Sequence, residues 1–397
     1  MAAAICILTK DHPEVMKEVS LNLYAALTAR GFDIYVYDSS EDNRTETLIN
    51  AWNQAGYNNI YYIDARFTKT GDEKLLAIYL GYGLKKEYDY IWNAKDRVMY
   101  SSDFLDRIVN DMSKNPDVIL AGCEEDSYFF TYEKFKDEYT DPVEFFRDFG
   151  ATTTSWDAII FNRNTMLKDI DWNYYESEYK VGYSNNFNQP IVLFARLAEL
   201  EQVKIIVERP EYKDRIFSNK SGSGWSDQTI NIWGVKWPAA IDRLPHIYDK
   251  YKKHVIKVET MHVCVFGSHG HMIGLASHKY LTKENFDLIR DHFNELSDIP
   301  VEYVDMMVED RIEDLAVKIW GDYNRFFEEK DIDNIIWYHF ANEWLDSTLG
   351  KDIYEAMQVY FREYLYEQDS IKKESFFEGI DSLKSAIEKV KKYYKKE

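Results

Sequence analysis

Over roughly the first hundred residues, short apolar runs alternate with longer amphipathic stretches, and that alternation constrains the fold more than any other feature. Ala3–Thr9 reads as a buried strand that stops on the polar KDHPE. Glu14–Arg30 carries Val15, Val19, Leu23, Ala26 and Leu27 near helical spacing, and Gly31 stops it. A second strand follows at Asp33–Tyr37, then a helix over Arg44–Ala55. The pattern repeats with a strand at Asn59–Ile63, a helix at Glu73–Leu84 and a strand at Tyr88–Trp92. Strands alternating with helices imply a parallel sheet. Ligands of such sheets bind beyond the carboxyl ends of the strands. Three polar groups are expected there: Thr9 to Asp11, Asp38 to Ser40, and Asn93 to Asp96.

Farther along, Val118–Ala121, Ala158–Phe161 and Val203–Val207 read as strands, and Asn188–Leu200 as a helix with Pro190 in its first turn. A Gly/Ser-rich loop spans Phe217 to Gln228. A boundary near Tyr251–Val258 divides the chain into domains 1–257 and 258–397. In the second, His262 to Gly267, a helix from Thr282 and Pro300 to Met306 read as a small β–α–β start. Mostly amphipathic helix with dense aromatic faces follows from about Glu309, and packing in a core or interface explains such faces. The fold class is α/β: a Rossmann-type domain with a mostly parallel central sheet, plus a mainly helical C-terminal domain.

Composition excludes several functions. The 397 residues hold 48 Lys and Arg against 69 Asp and Glu, a net charge of −21, which argues against nucleic-acid binding. Only the terminal KVKKYYKKE is basic; it reads as a solvated helix end, or as at most a peripheral contact with an anionic membrane or a partner. No run approaches the ~18–20 apolar residues of a membrane span, and the N-terminus lacks a basic signal region. Three scattered cysteines, Cys6, Cys123 and Cys264, suit a reducing compartment, so a cytoplasmic location is expected. GxSxG, Walker and HExxH motifs are all absent from the sequence.

Each polar group has a functional and a plain reading. Asp38-Ser39-Ser40 can accept hydrogen bonds from a base or ribose, or cap the next helix. Lys74, opening a helix, can hold phosphate or sit solvated. Asn93–Asp96 can hold a divalent cation through an acid, or form a polar turn. His262, His269, His271 and His278 crowd one segment; HxH spacing can bind a metal, and packing in a loop or interface is the plain reading.

In this order the pieces resemble the GT-A fold of family 2 glycosyltransferases, over roughly residues 3–235. ICILTKDHPE matches the first strand and loop. VYDSSEDNRTETL matches the nucleoside-cradling element, and GDEKLLAIYLGYGLKKEYDYIWNAKD the stretch that leads to an Asp-x-Asp motif. The resemblance implies transfer of a hexose from a nucleotide sugar, a UDP-sugar, to a hydroxyl of a glycan or glycoprotein of bacterial cell-surface type. It implies donor contacts from Thr9, Asp11, Asp38, Ser39, Lys74, Asn93 and Lys95. Asn93 and Lys95 stand at the Asp-x-Asp positions. Either Asp96 holds Mn2+ or Mg2+ from one place along, or Lys95 meets the diphosphate directly. The family's Glu-Asp pair is replaced by Asn188 and Gln189, which leaves Asp157 as the candidate base unless the mechanism is retaining. Residues 258–397 would then bind the acceptor, mediate oligomerisation or dock a partner transferase. Two rivals are a catalytically inactive GT-A-like subunit that partners another transferase, and a nucleotidyltransferase. The second should carry a Gly-rich loop after strand one, where LTKDHPE has none.

Overall fold

The structure is a computed structural model that describes residues 2–121, 135–179, 187–210, 214–217, 226–260, 279–297 and 299–311, with residues 266, 272, 275, 276, 314 and 318 besides. The chain divides into two compact units: residues 1–224 with 235–259, and residues 225–234 with 260–397.

The first unit is built on β1 (Ala3–Thr9), every residue of which is buried. A strand covered on both faces needs an unbroken apolar run, and AAICILT supplies one. Helix α1 (Pro13–Ala29) follows, with Pro13 in its first turn, where a missing N–H costs nothing. Then come β2 (Phe32–Asp38), α2 (Arg44–Gln54), β3 (Ile60–Asp64), α3 (Gly71–Tyr79) and β4 (Tyr90–Lys95). A short β5 (Val98–Tyr100) leads to α4 (Ser102–Ser113), β6 (Val118–Leu120) and β7 (Glu138–Tyr139). Next are α5 (Pro142–Phe149), β8 (Ile159–Asn162), α6 (Trp172–Tyr179), α7 (Asn188–Leu197), β9 (Ile205–Val207) and β10 (Arg215–Phe217), then α8 (Trp237–Asp242) and α9 (Lys252–Val258).

The main sheet has eight strands in the order β3-β2-β1-β4-β8-β6-β9-β7. Strands β3, β2, β1, β4, β6 and β9 run one way, and β8 and β7 run against them. The sheet is thus mixed but mostly parallel. β5 pairs separately with β10. The core is apolar and aromatic: Trp92 lies 4.6 Å from Tyr100, and Phe104 completes the group. Each such side chain, fully buried, contributes about 1.5–3 kcal/mol.

Strand β4 corrects the sequence reading. It was expected to end at Trp92, but its ladder to β1 continues through Cys6↔Asn93 and Leu8↔Lys95. Polar side chains ended the apolar run without ending the backbone pairing. Helix α3 stops at Tyr79, five residues before Leu84, because Gly81 and Gly83 turn the chain at φ +76° and +77°.

In the second unit, a two-way capping box of Thr282 and Asn285 opens the helix Lys283–Asp287. Phe293 packs 5.3 Å from Phe286 and 5.7 Å from Phe266. The expected strand over Pro300–Met306 is instead the helix Val301–Val308. Tyr303, Val304 and Met307 are its buried positions, a one-sided helical spacing, and Pro300 precedes the first turn. The strand expected at His262 to Gly267, apart from Phe266, lies outside the described residues. So do most of the Gly/Ser loop and the aromatic helices and basic tail beyond residue 318.

Helix α5 ends at Gly150, and the chain continues into a 3₁₀ turn, Ala151–Thr154. A Cβ on Gly150 would lie 2.5 Å from the Phe146 carbonyl oxygen and 2.9 Å from Val255 Cγ1 in α9. Gly150→Ala is therefore expected to cost about 1–3 kcal/mol, seen as a lower urea midpoint with an unchanged slope. An unaltered midpoint would mean that α5 and α9 have room this geometry denies them.

Candidate functional site

The register of β1 brings the predicted groups together. Thr9 pairs with Asp38 on one side, and Leu8 with Lys95 on the other. The carboxyl ends of β1, β2 and β4 therefore lie side by side. Thr9 Oγ1 donates to Asp96 Oδ2 at 2.7 Å, and His12 Nδ1 stands 3.3 Å from the same oxygen. Helix α3 enters from above: Lys74 Nζ donates to the Thr9 carbonyl at 2.6 Å. The N-cap Thr70, which accepts from Glu73 N, sets where that helix begins.

The β1 and β2 loops are joined through one hydroxyl. Ser40 Oγ donates to Asp38 Oδ1 at 2.5 Å and accepts from Asp11 N at 2.7 Å. Ser40 N also donates to Asp38 Oδ1, at 3.0 Å, and Ser39 N donates to the Thr9 carbonyl at 3.3 Å. Asp11 takes a left-handed φ of 58°, a conformation Asp tolerates better than most residues. Asp38 is fully buried, and its second oxygen, Oδ2, has no hydrogen-bond partner among the described residues. An unsatisfied buried acceptor costs about 1–3 kcal/mol.

On the β4 side, Lys95 Nζ lies 3.1 Å from Asp157 Oδ1 and donates to Ser155 Oγ at 2.8 Å. Ser155 Oγ in turn donates to Asp157 Oδ1 at 2.8 Å. The Trp92 indole N–H donates to the Asp157 backbone carbonyl at 3.1 Å. Asp157, expected as a general base, is 1% exposed, and its Oδ1 is engaged by an ammonium and a hydroxyl. A base needs a lone pair within reach of the acceptor proton. The geometry makes this carboxylate the counter-ion of Lys95.

Asn93, expected to touch the donor, faces the interior. It is fully buried, and its amide donates to Tyr79 Oη at 2.8 Å and Gln189 Oε1 at 3.2 Å. Asn188 and Gln189 explain themselves in the same layer. The Asn188 backbone N–H donates to Asp72 Oδ1, and its side chain donates to the Asp72 carbonyl. Gln189 Nε2 donates to the carbonyls of Thr153 and Ser155, at 2.8 and 2.6 Å. Helix α7 thus holds the turn that presents Ser155.

Thr9, Asp11, Asp38, Ser39, Lys74, Lys95, Asp96 and Asp157 thus stand around the carboxyl ends of β1, β2 and β4, while Asn93 lies beneath them. His12, Ser40 and Ser155 are additional members. Ser40 stood in the strand-end triplet; His12 and Ser155 are lone residues whose places only the tertiary structure reveals. His262, His269, His271 and His278 lie outside the described residues.

Burial pushes the Lys74 ammonium down to about 8, against the opposing pull of Asp38 and then Asp96, with Lys10 adding to the fall and Asp11 opposing it. The charge survives at neutral pH, at a cost to the fold.

No protein-family model matches the chain, and no curated protein matches it. Among solved structures it is similar to S. aureus TarS 1–349, at 13% identity and a TM-score of 0.42, covering 88% of this chain and 93% of that one. The same protein in complex with UDP-GlcNAc gives 11% identity and the same score. A mannosyltransferase from Pyrobaculum calidifontis, PcManGT, in complex with GDP-Man and Mn2+, gives 10% identity and a TM-score of 0.42, covering 80% of this chain and 86% of that one. All of these likenesses are distant.

A depressed lysine holds stability down while it is charged; that stability returns as pH rises from the folded value of about 8 towards the ordinary 10.5. Lys74→Met is accordingly expected to raise the thermal midpoint at pH 7, with the gap to wild type closing towards pH 9.5. A midpoint several degrees lower at pH 7 would show that the ammonium stabilises the fold.

Proposed function

We propose that the first unit binds a nucleoside diphosphate sugar, most simply a UDP-sugar, and transfers its hexose to a hydroxyl of a glycan or glycoprotein. One observation carries the reading. The carboxyl ends of β1, β2 and β4 gather a buried carboxylate, Asp38, whose Oδ2 is unfilled among the described residues, beside a buried ammonium, Lys74. An acceptor of that kind suits the N–H or O–H of a nucleoside, and the ammonium suits its phosphates.

In this reading Asp38 takes the base or ribose, with Ser39 and Asp11 shaping the loop around it. Lys74 and Lys95 face the diphosphate. Asp157 and Ser155 orient Lys95 and are positioning residues. Charge that develops on the departing diphosphate meets preorganised donors, the kind of stabilisation that contributes most in enclosed sites. The acceptor is brought to the anomeric carbon by proximity. Residues 258–397 would serve acceptor binding or association with a second subunit.

Asn188 and Gln189 favour a second reading. They spend their polar atoms on holding α7 and the Thr153–Ser155 turn, where the resemblance would put an acid pair. The unit would then bind nucleotide sugar, or its partner transferase, without transfer. Release of free sugar from a UDP-hexose separates the two readings: steady turnover supports the first, and binding with no turnover the second.

Asp38→Ala is expected to weaken UDP binding at least tenfold, about 1.4 kcal/mol, by calorimetry on folded protein. Unchanged affinity would remove the nucleoside site from the end of β2.

A further inference from the structure

Two buried lysines of this chain are bonded very differently. Lys252, 7% exposed, donates to the carbonyls of Asp242 and Leu244 at 2.9 and 2.6 Å and pairs with Asp249 at 2.7 Å. All three ammonium protons have acceptors, as a structural lysine requires. Lys74, 5% exposed, has among the described residues one hydrogen-bond acceptor, the Thr9 carbonyl. Two of its donors are unfilled. Lys95 gives two of its three protons to Asp157 and Ser155, which leaves one. Three N–H donors on two fixed cations therefore remain at the carboxyl ends of β1 and β4. Lys74 is the buried one of the two, and burying a cation without filling its donors is costly; an anion with several acceptors suits the pair.

The carboxylates around them fit a divalent cation poorly. Asp96 Oδ2 already accepts the Thr9 hydroxyl proton and lies against His12. Asp38 Oδ1 takes two donors from Ser40, and Asp157 Oδ1 holds Lys95. The two Asp-x-Asp positions carry an amide turned into the core and an ammonium. Among the described residues no three His, Cys, Asp or Glu side chains gather as a metal-ligand set. A dication placed here would also meet the like charges of Lys74 and Lys95.

We propose that this site neutralises the donor diphosphate with the ammonium groups of Lys74 and Lys95 instead of a resident divalent cation. The inference rests on the nucleotide-sugar reading and sharpens it. Lys95, clamped by Asp157 and Ser155, occupies the place of the metal. Lys74, braced on the Thr9 carbonyl, supplies the second charge.

The test is calorimetry of UDP and GDP against the full chain, in EDTA and in Mn2+. The tighter nucleotide is expected to bind with affinities within about threefold of each other in the two buffers. Lys95→Met and Lys74→Met should each lose tenfold or more in EDTA while uridine or guanosine binding stays unchanged. Lys95→Arg, which keeps the charge, should retain most of the affinity, and circular dichroism checks the fold of every variant. The wild-type comparison alone decides the matter should a variant not fold. Binding that appears only with Mn2+ overturns the proposal and leaves the nucleotide site standing. Absence of nucleotide binding in both buffers overturns the nucleotide reading itself.

Discussion

The double pairing of β1 is the constraint on which the rest depends. Its backbone is hydrogen-bonded to β2 on one edge and to β4 on the other, and its side chains are buried on both faces. A slip of one residue along either edge would turn each buried side chain to the opposite face. That same register sets Thr9 beside Asp38 and Leu8 beside Lys95. The packing of an apolar strand thus determines the spacing of polar groups that contribute nothing to the packing. Helix α3 is tied to the same strand end by Lys74, and α7 reaches it through Gln189 and the turn before Asp157.

Beneath the strand ends lies a layer of buried amides and hydroxyls. Asn93 bonds Tyr79 and Gln189, and Asn188 bonds Asp72, so two adjoining hydrogen-bonded groups link β4, α3 and α7. Such networks are favourable when satisfied and costly when broken. This layer leaves Asn93 Oδ1 and Asn188 Oδ1 without a partner among the described residues. It gives Asn93, Asn188 and Gln189 structural reasons to be where they are. A second polar clamp lies beside the β5–β10 pair: Arg107 bridges Glu208 and Asp214, and Ser101 donates to Asp214.

The strand ends were legible because an abrupt change from apolar to polar residues marks the end of a buried strand. That signal put Thr9 and Asp38 at the ends of β1 and β2, where the strands do end. It misled at β4, where a polar residue stayed inside the ladder because Tyr79 and Gln189 were waiting for it. No local pattern announces a partner 96 residues away. The same blindness hid Ser155, whose role depends on the distant Lys95. It also made Asp157 look like an available acid, since sequence shows a carboxylate but not its counter-ion. At Pro300–Met306 an apolar run too short to reveal its period was read as a strand, and the burial of Tyr303, Val304 and Met307 decided for a helix.

The hydroxyl of Ser40 has a consequence for how this chain can diverge. Because it accepts from the Asp11 backbone and donates to Asp38, the two loops share one fastening. An insertion between Thr9 and Asp11, or between Asp38 and Ser40, would release both loops at once. Length changes in descendants of this sequence should therefore accumulate outside that latch, towards Glu41 and Asp42 on one loop, where the chain is exposed. Any relative that lengthens either inner segment must replace the serine with another way of joining the two strand ends.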